Sequence, residues 1–100
     1  MSQSVCILGV TGSIGQSTLK ILQQHAEHYT VFAVTAHSRM QELVDICQQF
    51  QPEIAVVPQA KVDELRQLLV AANLQNIEIL ADEAGLIEVA EHPEVDVVMA

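Results

Sequence analysis

Gly9, Gly12 and Gly15 are three of only four glycines in the chain, and they stand three residues apart directly behind the apolar run Val5-Cys6-Ile7-Leu8. A short β-branched run of this kind suits a parallel strand buried on both faces. The glycines then break it into a loop before a helical pattern that begins near Ser13. The first N–H groups of a helix have no intrahelical acceptor, and the aligned peptide dipoles leave that end partly positive. An anion is therefore favoured there. Gly9 permits the tight turn, Gly12 lets a ligand approach the backbone without an intervening Cβ, and Gly15 lets the helix lie close to the strand. The hydroxyls of Thr11 and Ser13 add donors. A dinucleotide pyrophosphate fits this arrangement. The spacing is G-x-x-G-x-x-G, not the commoner G-x-G-x-x-G. The reading therefore rests on context, with a strand before, an amphipathic helix after and a second strand beyond; a turn that binds nothing is the alternative.

A second group lies about 20 residues past the loop, where sites that prefer NAD carry an Asp or Glu for the ribose 2′-hydroxyl. Here the chain reads Ala36-His37-Ser38-Arg39. A carboxylate would repel a 2′-phosphate, whereas serine and arginine would hold one. Arg39 can bind phosphate through two N–H groups or stack on adenine, and His37 can add to either role. The alternative is a solvated loop arginine.

These two groups must be positioned by alternating elements. Ile14, Thr18, Ile21, Leu22 and His25 recur at helical spacing and predict a sheet-covering helix to about His25. Thr30 to Ala36 reads as a strand parallel to the first. Met40, Leu43, Val44, Cys47 and Phe50 form a second helical stripe, with Ser38 as its N-cap. Pro52 precedes a third strand, Ile54 to Val57. Val62, Leu65, Leu68, Leu69 and Ala72 mark a third helix from about Ala60 to Ala72. Ile77 to Leu80 is a short extra strand, Asp82 to about Glu91 a short helix, and Val95 to Ala100 a further strand. The order argues for an α/β fold, a Rossmann-type doubly wound parallel sheet. A chain of 100 residues that stops on a strand reads as an incomplete, apparently truncated cofactor domain, with one sheet face short of cover.

Composition narrows the function. The net charge of −9 arises from 13 acids against Lys20, Arg39, Lys61 and Arg66, which leaves no basic footprint for nucleic acid. No apolar run reaches membrane-spanning length, and Met1-Ser2-Gln3-Ser4 has neither a basic nor an apolar leader, so a cytoplasmic location is expected. Cys6 and Cys47 fall on apolar faces without metal-ligand or redox spacing, and both are expected to be reduced core residues. His25 and His28 straddle a helix end, where histidine is favourable without a metal. Asp82, Glu83, Glu88, Glu91, Glu94 and Asp96 read as a solvated acidic face.

The run Leu8-Gly9-Val10-Thr11-Gly12-Ser13-Ile14-Gly15 followed by Ser17-Thr18-Leu19 resembles the opening of the 1-deoxy-D-xylulose 5-phosphate reductoisomerases. Pro52, Ala55-Val56, Gly85-Leu86 and Val98-Met99-Ala100 continue the likeness through the whole chain, which corresponds to the N-terminal part of such an enzyme. The resemblance implies NADPH-dependent rearrangement and reduction of a phosphosugar, 1-deoxy-D-xylulose 5-phosphate, to 2-C-methyl-D-erythritol 4-phosphate in the non-mevalonate isoprenoid pathway. It also implies Mg²⁺ or Mn²⁺ and a homodimer. Thr11, Gly12, Ser13 and Ile14 would contact the cofactor phosphates, and His37, Ser38 and Arg39 would sit at the 2′-phosphate. The second group departs from the family's Gly-Lys-Asn form, with Arg39 supplying the charge one position after the lysine. The catalytic and metal-binding residues of the family lie beyond Ala100, so the 100-residue chain alone is expected to be inactive. Aspartate-semialdehyde dehydrogenases share a G-x-T-G-x-x-G loop and NADP preference, but lack the Ser-Ile-Gly-x-Ser-Thr-Leu continuation. A free-standing NADP(H)-binding module is the non-enzymatic alternative.

Overall fold

The computed structural model describes residues 2–100. In chain order the elements are β1 (Gln3–Ile7), α1 (Ser13–Gln24), β2 (Tyr29–Thr35), α2 (Met40–Phe50) and β3 (Ile54–Val57). A 3₁₀ turn over Gln59–Lys61 then runs into α3 (Val62–Ala71), followed by β4 (Glu78–Ala81), α4 (Asp82–Ala90) and β5 (Val97–Met99). The strands form one five-stranded parallel sheet in the order β4-β3-β2-β1-β5.

That order dictates the layers. From β1 to β4 every crossover steps in one direction, and right-handed connections lay α1, α2 and α3 on the same face. The step from β4 to β5 reverses direction, so α4 crosses the opposite face. Val5, Ile7, Val34, Ala55 and Val57 accordingly pack with Leu19 and Leu22 of α1, Leu43 and Cys47 of α2, and Leu65 and Leu69 of α3. Cys6, Phe32, Ala33, Ile54 and Val56 pack with Val89 of α4. The reversal places a topological switch point between β1 and β5, where open α/β sheets bind ligands beyond the strand C-termini. The glycine loop follows β1 at that crevice.

Three expectations are corrected. The buried face of α1 is Gly15, Leu19 and Leu22, one residue out of phase with the predicted stripe. Ile14 and Ile21 are 70% and 57% exposed. Gly15 decides the phase, because a Cβ there would lie 2.7 Å from Val10 Cα, so only this side of the helix can approach the turn. Ser38 does not cap α2; Arg39 takes that position, and no side chain caps the helix. β5 begins at Val97, since the Val95 N–H bonds to the His92 carbonyl and closes a turn first. The acidic residues of this region are exposed as expected. Two of them also accept backbone N–H groups, Asp96 from Ser4 and Asp82 from Gln59.

Cys6 and Cys47 are buried and unpaired. Burial pushes their thiols from 9.0 up to about 11 and about 12 respectively. The folded state thus keeps protons that the unfolded chain releases. Its stability is whole below about pH 9 and is lost as pH rises toward the folded values, by up to about 1.4 kcal/mol per pH unit for each thiol. Urea midpoints should fall between about pH 8 and pH 11, and fall less in Cys47→Ala, which has one fewer thiol to ionise. An identical pH dependence in wild type and variant would refute the assignment.

Candidate functional site

Two neighbouring loops, each following a strand, build the site. Gly9 turns the chain out of β1 at φ 62°, a conformation in which a side chain would be strained. Thr35, the last residue of β2, fixes the turn from beside it. Its hydroxyl accepts the Gly9 N–H at 2.9 Å, and its carbonyl accepts the Val10 N–H at 2.8 Å. The Gly12 N–H closes back on the Gly9 carbonyl at 3.0 Å, and the Gln16 N–H opens the helix by bonding to the Gly12 carbonyl. This leaves the N–H groups of Ser13, Ile14 and Gly15 with no acceptor among the described residues.

Charge and space favour the same end. The first turn of α1 carries no acid, whereas α2 has Glu42, α3 has Asp63 and Glu64, and α4 has Asp82 and Glu83. The positive end of the α1 dipole is thus free of a carboxylate of its own. A Cβ at Gly12 would meet only the Gly9 carbonyl oxygen, at 3.4 Å, so the outer side of the loop is open. Ser13 and Ile14 are exposed there, while Thr11 is buried. Its main chain is what meets the second loop.

That meeting is made by Arg39. Its Nη1 donates to the Thr11 carbonyl oxygen at 3.3 Å and lies 3.7 Å from Glu42 Oε2, one helical turn on. Gln16 Nε2 donates to the same carbonyl at 3.1 Å, so α1 and the loop before α2 converge on one acceptor. Arg39 holds φ 23° and ψ 58°, an uncommon conformation for a side-chain-bearing residue. Backbone strain of this kind persists where surrounding structure enforces it and gathers at functional sites. His37 and Ser38 are exposed on the same loop.

Beside them opens a cavity of about 530 Å³. Gly9, Thr35, Ala36 and His37 form one wall, Val56, Val57 and Pro58 the floor, and Asp82, Glu83 and Leu86 the opposite side. Asp82, at φ 58°, turns β4 directly into α4 and ties that side to the chain just past Pro58 through its 2.9 Å bond from the Gln59 N–H. A larger concavity, about 620 Å³, lies at the other end of the sheet around Pro52, Asn73 and His92, away from both loops. Among the described residues no group of three or more His, Cys, Asp or Glu side chains is placed to hold a metal ion. Thr35, Glu42, Pro58, Asp82 and Leu86 were missed by sequence reasoning. Thr35 and Pro58 could have been found by the rule that ligands lie at strand C-termini, and Glu42 by its i,i+3 spacing from Arg39.

Thr35 also supplies a test. Thr35→Val keeps the shape but leaves the Gly9 N–H without its partner, which is expected to cost about 1–3 kcal/mol of stability. Urea unfolding measures it, and a loss below about 0.5 kcal/mol would show that the bond does not hold the loop.

The comparisons with known proteins agree with this geometry. Residues 5–100 match the family model of 1-deoxy-D-xylulose 5-phosphate reductoisomerase. A 1-deoxy-D-xylulose 5-phosphate reductoisomerase of Acinetobacter baumannii (strain SDF) is 60% identical over 100 residues, which are 100% of this chain and 25% of that protein. Among solved structures, a DOX-P reductoisomerase in complex with magnesium superposes with a TM-score of 0.94 at 39% identity, over 98% of this chain and 24% of its own. A DOX-P reductoisomerase in complex with NADPH, fosmidomycin and magnesium gives 0.91 at 40% identity, over 96% and 23%. The chain therefore spans about a quarter of the length of the relatives it matches. With sequence, sheet order and glycine loop in agreement along its length, the chain belongs to the 1-deoxy-D-xylulose 5-phosphate reductoisomerase family.

Proposed function

We propose that this chain is the NADPH-binding part of an enzyme that rearranges and reduces 1-deoxy-D-xylulose 5-phosphate to 2-C-methyl-D-erythritol 4-phosphate. The observation that carries the cofactor reading is the acid-free start of α1. There the N–H groups of Ser13, Ile14 and Gly15 lack acceptors beside an open Gly12. That is the chemistry a pyrophosphate needs. Thr11 contributes through its main chain, Gly12 through its missing side chain, and Ser13 through its hydroxyl. Ile14 lays its exposed side chain against the bound cofactor.

The cavity beside the two loops suits the adenosine end. Its Val56, Val57 and Pro58 floor takes the flat apolar face of a purine, and the Asp82 and Glu83 carboxylates on the rim can accept from an amino group. Arg39, with His37 and Ser38 beside it, meets the 2′-phosphate. NADPH, when bound, supplies the hydride for the reduction. The residues of this chain bind and orient it, and Gly9, Thr35 and Arg39 fix the loops that do so. A relative solved in complex with NADPH, fosmidomycin and magnesium supports NADPH as the cofactor. The intact protein would use Mg²⁺ or Mn²⁺, assemble as a homodimer and reside in the cytoplasm.

The test is direct. The intact protein, given Mg²⁺ and 1-deoxy-D-xylulose 5-phosphate, should consume NADPH in a substrate-dependent manner, followed by loss of NADPH absorbance. NADPH binding without substrate-dependent oxidation would leave a binding module and overturn the enzymatic reading.

A further inference from the structure

The absence of a carboxylate at the end of β2 favoured a phosphorylated ribose, yet the fold returns a carboxylate to that place. Glu42 lies in the first turn of α2, and its Oε2 is 3.7 Å from Arg39 Nη1. That guanidinium nitrogen also spans 3.3 Å to the Thr11 carbonyl. A 2′-phosphate arriving at this loop meets two attractions, the Arg39 guanidinium and the N-terminal end of α2. Glu42 is close to both. It neutralises part of each, and once the phosphate is seated it stays within a helical turn of a second negative charge.

We infer that Glu42 is a specificity-determining residue that competes with the cofactor's 2′-phosphate for Arg39 and so narrows the preference for NADPH over NADH. The inference rests on the NADPH reading above. NADH has a hydroxyl where NADPH has the phosphate, gains little from Arg39, and loses little to Glu42. Glu42 thereby sets how far Arg39 can discriminate. The pair is exposed to solvent, with side-chain accessibilities of 59% and 51%, so the effect is moderate and sensitive to salt.

The experiment compares dissociation constants for NADPH and NADH in the intact wild-type protein, Glu42→Gln, Arg39→Gln and the double variant. Glu42→Gln should tighten NADPH by about three- to tenfold and change NADH by less than about twofold. The gain should be clearly smaller in the Arg39→Gln background, where only the helix-end and direct charge terms remain, and should narrow as sodium chloride is added. Equal tightening of both cofactors would reduce Glu42 to a general charge effect and overturn the inference. So would a full gain that persists without Arg39. Wild type that binds NADPH tightly while Glu42→Gln changes nothing would remove this inference alone. Wild type that binds neither cofactor would remove the cofactor reading and this inference with it.

Discussion

Gly15→Ala is expected to destabilise the protein by about 3 kcal/mol or more, at the upper end of what a single added methyl group costs in a packed interior. The reason is geometric. The new Cβ would fall 2.7 Å from Val10 Cα and closer still to the Gly9 carbonyl oxygen. Both are backbone atoms in a turn already held by Thr35 on one side and by the Gly12 N–H on the other. Neither can rotate aside as a side chain could. In an open helix the same substitution would stabilise by nearly 1 kcal/mol, so the sign of the change is itself informative. Gly12→Ala is the control. Its Cβ would touch only the Gly9 carbonyl oxygen at 3.4 Å, and its φ is −78°, which any residue adopts. It should change stability by less than about 1 kcal/mol while weakening NADPH binding, because the methyl group then stands where the pyrophosphate approaches. Urea unfolding and NADPH titration of both variants separate the two roles. Equal losses of stability would show that the glycines are not divided between packing and ligand approach.

The same glycine marks how far the fold is legible in the amino-acid order. The strands were readable because parallel strands buried on both faces are uninterrupted apolar runs, and Ile54 to Val57 has no polar residue to blur its ends. The stripe Met40, Leu43, Val44 and Cys47 was readable because one face of α2 holds its large apolar residues. In α1 the rule of counting large apolar residues failed. Ile14 and Ile21 outweigh Gly15 in hydrophobicity, but a residue without a side chain governs where the helix can approach. Hydrophobic periodicity has no means of recording that. The site divides in the same way. The glycine loop and Arg39 were legible as local motifs, whereas Thr35, Asp82 and the cavity between them arise from contacts across 23 to 26 residues of sequence. Residue type alone makes Ser38 the expected cap. The chain instead spends that position reaching Arg39, whose backbone bends to φ 23° and carries the guanidinium to the Thr11 carbonyl.

Arg39→Gln is expected to weaken NADPH binding by roughly 10- to 30-fold and NADH binding by no more than about twofold. A charge-assisted bond to phosphate contributes about 1.5–3 kcal/mol, and the lower half of that range applies because the side chain is largely exposed and screened. Arg39→Lys should fall between the two. It restores a charge but not the planar fork that binds two phosphate oxygens together. The loss on Arg39→Gln should shrink as salt is raised, because the term removed is electrostatic. Selectivity, not affinity, is the decisive readout, since Arg39 has a second task in this fold. Its bond to the Thr11 carbonyl ties the loop after β2 to the glycine loop. If that tie were its whole contribution, both cofactors would use the same loosened loops and would weaken together. A selective loss for NADPH assigns Arg39 to the 2′-phosphate, whereas a shared loss would make it a brace for the pyrophosphate loop and leave the cofactor preference to other residues.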